Sequence, residues 1–571
     1  MNFKRHLANT IHGILPTDDA PVELIESYLE VPKDSSMGDF ALPCFRFAKT
    51  FKKPPQAIAQ TIADGWNDES SEAAAVSGYL NIKLNPVFIA RNVIADVLGA
   101  RGKFASSDEG AGKTICIDYS SVNIAKRFHI GHLSTTMIGH SLKRIFDHLG
   151  YTTVGINHLG DWGTQFGKMI SAYKRWGSRE DVELRGIQAI VDLYVRFHDE
   201  AKDNPALEDE GREWFLRIER GDTEALEIFE WLKELTMNDV AKIYDQLGVS
   251  FDHYTGESFY KDKMQPVVDE LREKNLLEQS EGAWVVDLTP DKMPPCLILK
   301  RDGATLYPTR DLAAAEYRAD TFNFHKSLYV VAYQQDLHFR QVFRVLEKMG
   351  KPWARDLVHV SYGMVSYGGA ALSTRDGHTV YLEDVLAEAR AKARRIIDEK
   401  SPDLQDKDAA AKSVGIGAVV YSVLSAGRIK DIDFRWDSAL NFDGETGPYV
   451  QYAHARCCSL LSKAEEAGLT VEECGKNWNA DALANPEATE VLLLISRFPE
   501  LVRDAARKYE PSMVTRHVTD IAGAYNKFYF EHRVLQGDIE SQAARVLLTE
   551  AARIAIATGL MLIGVDAPTR M

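Results

Sequence analysis

At 571 residues and a net charge of −16, the chain is long enough for about three domains, each with its own core. Its acidic balance argues against binding nucleic acid through bulk charge, so such a partner would need local basic faces. No apolar run approaches the ~20 residues that span a bilayer, and the N-terminal MNFKRHLANTIHG lacks the apolar core of a secretory signal. Neither membrane insertion nor secretion is therefore expected. Cys44, Cys116, Cys296, Cys457, Cys458 and Cys474 are scattered without paired knuckles, which predicts reduced thiols in a cytoplasmic protein, with no disulfide framework and no structural metal.

The segment to about residue 110 reads as a separate domain. Lys49-Thr50-Phe51-Lys52-Lys53-Pro54-Pro55 introduces a helix over Gln56 to Ala63, and Leu80, Ile82 and Leu84 alternate with polar residues like a strand with one buried face. Lys52 and Lys53 head a basic cluster that suits RNA phosphates or, equally, a solvated helix entry.

Thr114 to Gly167 organises the chain. Thr114 to Asp118 is an apolar strand, followed by the polar loop Ser120-Ser121-Val122-Asn123 and then His129-Ile130-Gly131-His132. Ile138, Leu142, Ile145 and Leu149 keep helical spacing up to Gly150, a helix-ending glycine, and Thr152 to Ile156 is a second strand. This is a βαβ unit, which binds ligands outside the carboxyl ends of its strands. Its helix N-terminus suits phosphate, and His129 and His132 share one face of the first turn. Gly131 lets a base or sugar approach the backbone.

Gly177 to Gly248 reads as an acidic helical insertion that pads this domain, with nothing in it demanding chemistry. Phe251 to Gln335 returns to strands and loops and carries Glu257, Tyr307, Asp311 and Gln335. A guanidinium substrate would explain such carboxylates with neutral acceptors around them, while surface acids and helix caps explain them one at a time. From Leu382 onward the chain is helical, with runs near Val491 to Arg507, Pro511 to Phe530 and Arg545 to Leu562.

The string SSVNIAKRFHIGHL…GINHLGDWGTQFG resembles the nucleotide signature of class I aminoacyl-tRNA synthetases and, more narrowly, arginyl-tRNA synthetases. YVRFHDEA, QYAHAR, AYNKFYFEHRVL and the terminal APTRM extend the resemblance over the whole chain. It implies an α/β fold with a Rossmann-type catalytic domain over residues 111–435, interrupted by the insertion at about 177–248 and a signature loop at about 363–380. A tRNA-contacting α/β domain would precede it, over residues 1–110, and an all-α anticodon-binding bundle would follow, over 436–571. The implied activity is ATP-dependent ligation of L-arginine to its tRNA through arginyl-adenylate, by a cytoplasmic monomer, with Mg²⁺ accompanying ATP and no metal bound by the protein itself.

By the same resemblance, His129, His132 and Lys126 act in catalysis. Gly131, Met364, Val365, Ser373, Thr374 and Arg375 join the two histidines around ATP, the backbone at Gly363 to Val365 taking the adenine. Asn123, His129, Glu257, Tyr307, Asp311 and Gln335 form the arginine pocket, and Lys52, Lys53, Tyr525, Asn526, Arg533 and Met571 meet tRNA. The loop Ala371-Leu372-Ser373-Thr374-Arg375-Asp376-Gly377 lacks both lysines of the class I pattern, and Lys126 stands where some arginyl-tRNA synthetases carry a substitute. Two other readings stay open. One is an arginine-activating paralogue with a non-translational acceptor, and the other a weakened tRNA-binding paralogue, which Ala371 and Asp376 would suit.

Overall fold

The computed structural model of the chain describes residues 2–15, 18–301, 303–368, 370–371, 380–442 and 444–571. At the N-terminus, β1 (Phe40–Pro43), β2 (Ser71–Val76) and β3 (Tyr79–Leu84) form an antiparallel sheet in the order β1-β3-β2. Leu80, Ile82 and Leu84 are buried, as their alternation predicts. The helix expected after the basic cluster runs Pro55–Asp64 and carries proline in its first turn, where a missing N–H costs nothing.

The central sheet is all parallel. It contains β4 (Thr114–Asp118), β5 (Thr152–Asn157), β6 (His253–Tyr254), β10 (Lys326–Tyr329) and β11 (Leu357–His359), in the order β11-β10-β4-β5-β6. An antiparallel ribbon of β7 (Glu278–Ser280), β8 (Ala283–Val286) and β9 (Cys296–Leu299) intervenes in sequence. β12 (Val365–Tyr367) pairs with β13 (Ala370–Ala371) and with β14 (Ile432–Phe434). The chain fills one side of β4 with β5 and β6, then crosses to the other side with β10 and β11. The crevice between the carboxyl ends of β4 and β10 is therefore the switch point at which such sheets bind ligands.

The crossover helix Gly131–His148 is buried at every position from Leu133 to Leu142, because the helical bundle covers the face that the sheet leaves open. The following Gly150 has φ +82°, the left-handed conformation that a helix-ending glycine adopts without strain. The bundle comprises Lys407–Leu424, Gly447–Glu466, Pro486–Lys508, Ser512–Glu531 and Ile539–Leu562. Where its last helix ends, the Leu562 carbonyl accepts from the Ser141 hydroxyl at 2.9 Å, and the Met561 carbonyl from Arg144 Nη1 at 3.2 Å. Among the described residues no helix is long and apolar enough to cross a membrane.

Candidate active site

The loop between β4 and the crossover helix is backbone under tension. Ser120, Ser121 and Ala125 have φ of 71°, 48° and 61°, and each left-handed non-glycine residue costs about 1–2 kcal/mol. Buried hydroxyls hold them there. Ser120 N–H donates to Thr135 Oγ1 at 3.0 Å, and its hydroxyl meets Thr136 Oγ1 at 2.8 Å and the Tyr244 hydroxyl at 2.7 Å. Ala125 N–H donates to Thr236 Oγ1 at 3.1 Å. Thr236 and Tyr244 belong to the helix Thr223–Leu247 inside the acidic insertion. The insertion thus braces the site where padding was expected, because one face of its last helix is polar toward the loop.

The His129 and His132 rings lie against each other, centroids 3.8 Å apart and tilted by 32°. Gly131 N–H donates to His129 Nδ1 at 3.1 Å, and His129 N–H donates to His132 Nδ1 at 3.2 Å. Burial, reinforced by the Lys126 charge, lowers the His129 pKa to about 4. Burial, then His129, holds His132 far below the ordinary imidazole range. Both rings are therefore neutral at pH 7, with Nδ1 accepting and the proton left on Nε2 as a donor. The first-turn N–H groups are already occupied, since His132 N–H and Leu133 N–H close tight turns on the His129 and Ile130 carbonyls at 2.9 and 3.0 Å. The donors that remain at this helix start, among the described residues, are accordingly the imidazole Nε2–H groups, a correction to the expectation of open helix N–H groups. Lys126 is exposed and, among the described residues, its ammonium makes no ion pair.

Asn123 and Glu257 flank one turn at the end of β5. Ile124 N–H donates to the Gly160 carbonyl at 3.1 Å and Gly160 N–H to Val122 at 3.0 Å, while Glu257 N–H donates to the Leu159 carbonyl at 2.9 Å. A Cβ at Gly160 would displace the Asn123 side chain. Asp161, fully buried, accepts from Ser258 N–H at 2.9 Å and Ser258 Oγ at 2.7 Å, and pairs with Lys233 Nζ at 2.7 Å.

Glu257 pairs with Arg310 Nη1 at 2.7 Å. Burial raises its pKa to about 7, against the pull of Arg310 and with a push from Asp311. Asp311, next along the helix Tyr307–Phe322, meets His338 Nε2 at 2.5 Å. Burial pushes its carboxyl up, but the His338 hydrogen bond and the charges of His338, His158 and Arg318 more than offset this, leaving it below the ordinary range. Tyr307 stands at the exposed start of the same helix, 66% accessible. Gln335, at the end of β10, is exposed at the opposite rim. Of the expected arginine-binding residues, Glu257 and Asp311 come together beside the helix Tyr307–Phe322, and Asn123 adjoins Gly160 in the turn that leads to Glu257. Arg310, His338 and Asp161 join this cluster through Glu257, Asp311 and Ser258; the first neighbours Asp311 in sequence but gave no separate signal.

On the nucleotide side, the backbone of Met364 is already used. Its N–H donates to Asp431 Oδ1 at 2.7 Å and its carbonyl accepts from Ile432 N–H at 2.8 Å. Gly363 N–H is likewise taken, by the Arg428 carbonyl at 2.8 Å. The Met364 side chain is exposed, and Val365 is buried in β12. Ser373, Thr374, Arg375 and Asp376 lie outside the described residues. The chain just beyond them is stitched to the histidines: Ile130 N–H donates to the Val380 carbonyl at 3.0 Å and Leu382 N–H to Phe128 at 2.9 Å. Arg127 stacks on Tyr381 at 3.7 Å.

In the bundle, Tyr525 is fully buried, with its hydroxyl 3.1 Å from Thr549 Oγ1. Its ring is closed to tRNA bases, which corrects the expectation, because it faces inward between the last two helices. One turn on, Tyr529 is 38% exposed, as is Tyr452 at 43%. Arg456 lies over both rings, at 5.0 and 4.7 Å, and donates to Asn526 Oδ1 at 2.7 Å. Tyr452, Arg456, Tyr529 and Met571 wall a cavity of about 870 Å³, whereas Arg533 is exposed outside it. Lys52 and Lys53 are exposed on the N-terminal domain.

Three family models match in order: the arginyl-tRNA synthetase N-terminal domain over residues 1–84, the class I (R) catalytic domain over 93–436, and the DALR anticodon-binding domain over 450–571. The arginine–tRNA ligase of Alkaliphilus metalliredigens is 50% identical over 551 residues, 96% of each chain. That of Clostridioides difficile is 47% identical over 572 residues and all of both chains. The solved arginyl-tRNA synthetase of Thermus thermophilus superposes with a TM-score of 0.82 at 27% identity over the whole of both chains. With its parallel switch-point sheet, paired histidines and helical bundle, this chain belongs to the arginyl-tRNA synthetases of class I.

Proposed function

We infer that the chain ligates L-arginine to its tRNA at the expense of ATP. The arginine carboxylate attacks the α-phosphorus of ATP in line, the bond to the bridging oxygen breaks, and pyrophosphate leaves arginyl-adenylate behind. The 2′-hydroxyl of the tRNA's terminal adenosine then attacks the activated carbonyl and AMP departs. Two neutral imidazoles after β4, at the switch point of the sheet, carry the reading.

The Nε2–H donors of His129 and His132 oppose charge growing on the phosphate oxygens, and the exposed Lys126 ammonium adds a cation where the signature loop lacks both class I lysines. Asp311 and Tyr307 receive the guanidinium with Glu257 behind them, while Asn123 and Gln335 hold the α-amino and carboxylate end. Mg²⁺ enters on the ATP phosphates: Asp118, the carboxylate at the end of β4, is committed to Arg318 and Ser121 at 2.7 and 2.9 Å, so no caging donor set forms there. The enzyme works as a monomer in the cytoplasm, where arginine, ATP and tRNA meet. Charging of total tRNA with labelled arginine tests the reading. Arginyl-tRNA is the expected product; arginyl-adenylate without any charging would overturn it.

A further inference from the structure

One face of the helix Thr223–Leu247 touches both halves of the site. Lys233, Thr236, Val240 and Tyr244 recur at helical spacing and so share that face. Val240 is buried in the core. Thr236 Oγ1 accepts from Ala125 N–H, and the Tyr244 hydroxyl lies 2.7 Å from Ser120 Oγ while accepting from Asn157 Nδ2 at 2.8 Å. The Tyr244 ring meets Phe128 edge-on at 5.8 Å, and Phe128 packs on His132 at 5.1 Å. Lys233 pairs with the buried Asp161, which holds Ser258 beside Glu257.

We propose that this helix is the positioning element of arginine activation, with Thr236 and Tyr244 as its positioning residues. They hold the left-handed backbone that presents Asn123, Lys126 and His129, while Lys233 fixes through Asp161 the turn that presents Glu257. None of the three needs to touch substrate. The proposal rests on the adenylate-forming reading above. Its physical basis is that a loop with three strained residues has no stable conformation of its own. Hydroxyls from a segment more than a hundred residues away supply it, and a displacement of about 1 Å in a reacting group can cost ~100-fold in rate.

The test is arginine-dependent ATP–pyrophosphate exchange, with tRNA present, on full chains carrying Tyr244→Phe, Thr236→Val or Thr236→Ser, each with its melting temperature. In Tyr244→Phe and Thr236→Val, kcat should fall about 10- to 100-fold while KM for arginine moves less than about threefold, the signature of lost transition-state alignment. Thr236→Ser keeps the hydroxyl and should restore kcat to within about threefold of the parent. Folded Tyr244→Phe and Thr236→Val chains with parental kcat, or a rise in KM as large as the fall in kcat, overturn the proposal. Hydrogen exchange on the unsubstituted protein judges it independently of any variant's folding. The Ala125 amide should exchange as slowly as the core helices, and exchange at the rate of an open loop overturns the brace. An unsubstituted chain that neither exchanges pyrophosphate nor charges tRNA would instead refute the functional reading, leaving the Ala125 amide to decide the brace.

Discussion

Glu257 is the side chain whose ionisation falls within the working pH range. Its carboxyl, with a pKa near 7, sits above the usual carboxylate value of 4.5 chiefly through burial. In the free protein the stability this protonated group allows is fully present below about 4.5, and it is lost as pH rises through 7. Arginine reverses the sign, because a guanidinium favours the charged carboxylate. kcat/KM for arginine should therefore rise about tenfold per pH unit up to ~7 and level off above. His129, with a pKa near 4, does not titrate in that window, and Asp311 is held low. The limb belongs to Glu257 if it vanishes in Glu257→Gln, and an unchanged limb in that variant would assign it elsewhere. Lys126→Ala separates chemistry from binding at the same scale. Loss of a transition-state cation costs about 100- to 1,000-fold in kcat, with KM for arginine nearly constant. Equal losses in both would remove Lys126 from the chemistry.

At the scale of elements, the bundle helix Ser512–Glu531 turns Tyr525 inward and, one turn on, Tyr529 outward. Tyr525→Phe removes a buried hydroxyl paired with Thr549 and should cost about 1 kcal/mol of stability without changing KM for tRNA. Tyr529→Ala, which strips one wall from the stacked Arg456, should raise KM for tRNA about tenfold, as the loss of one base-stacking surface does. The opposite pattern, with Tyr525→Phe impairing tRNA use and Tyr529→Ala silent, would place the contact elsewhere. Periodicity alone did not separate these two residues, since positions four apart share a face and only the neighbouring helices decide which part of it is closed. The same limit explains what else was legible. The strand–loop–helix of the nucleotide site and the helix Gly131–His148 were readable, because apolar spacing and Gly150 mark them locally. The braces from Thr236 and Tyr244 were not, since a threonine or tyrosine among acidic residues looks like solvated surface until the fold brings the loop beneath it. Two of the bundle helices, Pro486–Lys508 and Ile539–Leu562, proved longer than the apolar spacing implied: the second starts at the Asp538 cap, whose carboxylate accepts from Ser541 N–H at 2.8 Å. A single cap is easily passed over where apolar spacing begins later.

Across the whole molecule, the segment after residue 562 runs from the nucleotide helix to the bundle's cavity. At its start Gly564 lies against His140, and the preceding carbonyls take Ser141 and Arg144 of the crossover helix. Along its length Gln451 Nε2 donates to the Asp566 carbonyl at 2.9 Å, and His454 Nδ1 donates to Pro568 at 2.9 Å. At its end the Met571 carbonyl accepts from Ser401 Oγ at 3.1 Å, and Thr569, Arg570 and Met571 wall the cavity. The anchors divide the segment in two: up to Pro568 it is tied first to the crossover helix and then to the bundle helix Gly447–Glu466, and the last three residues wall the cavity. Removing residues 569–571 should then raise KM for tRNA in charging about tenfold, equivalent to ~1.4 kcal/mol of binding. KM for ATP should stay within about twofold of the parent, because the Gln451 and His454 anchors persist. Measuring both constants on the truncated chain checks the division, and a rise for ATP matching that for tRNA would show that the tail acts as one unit from cavity to nucleotide site.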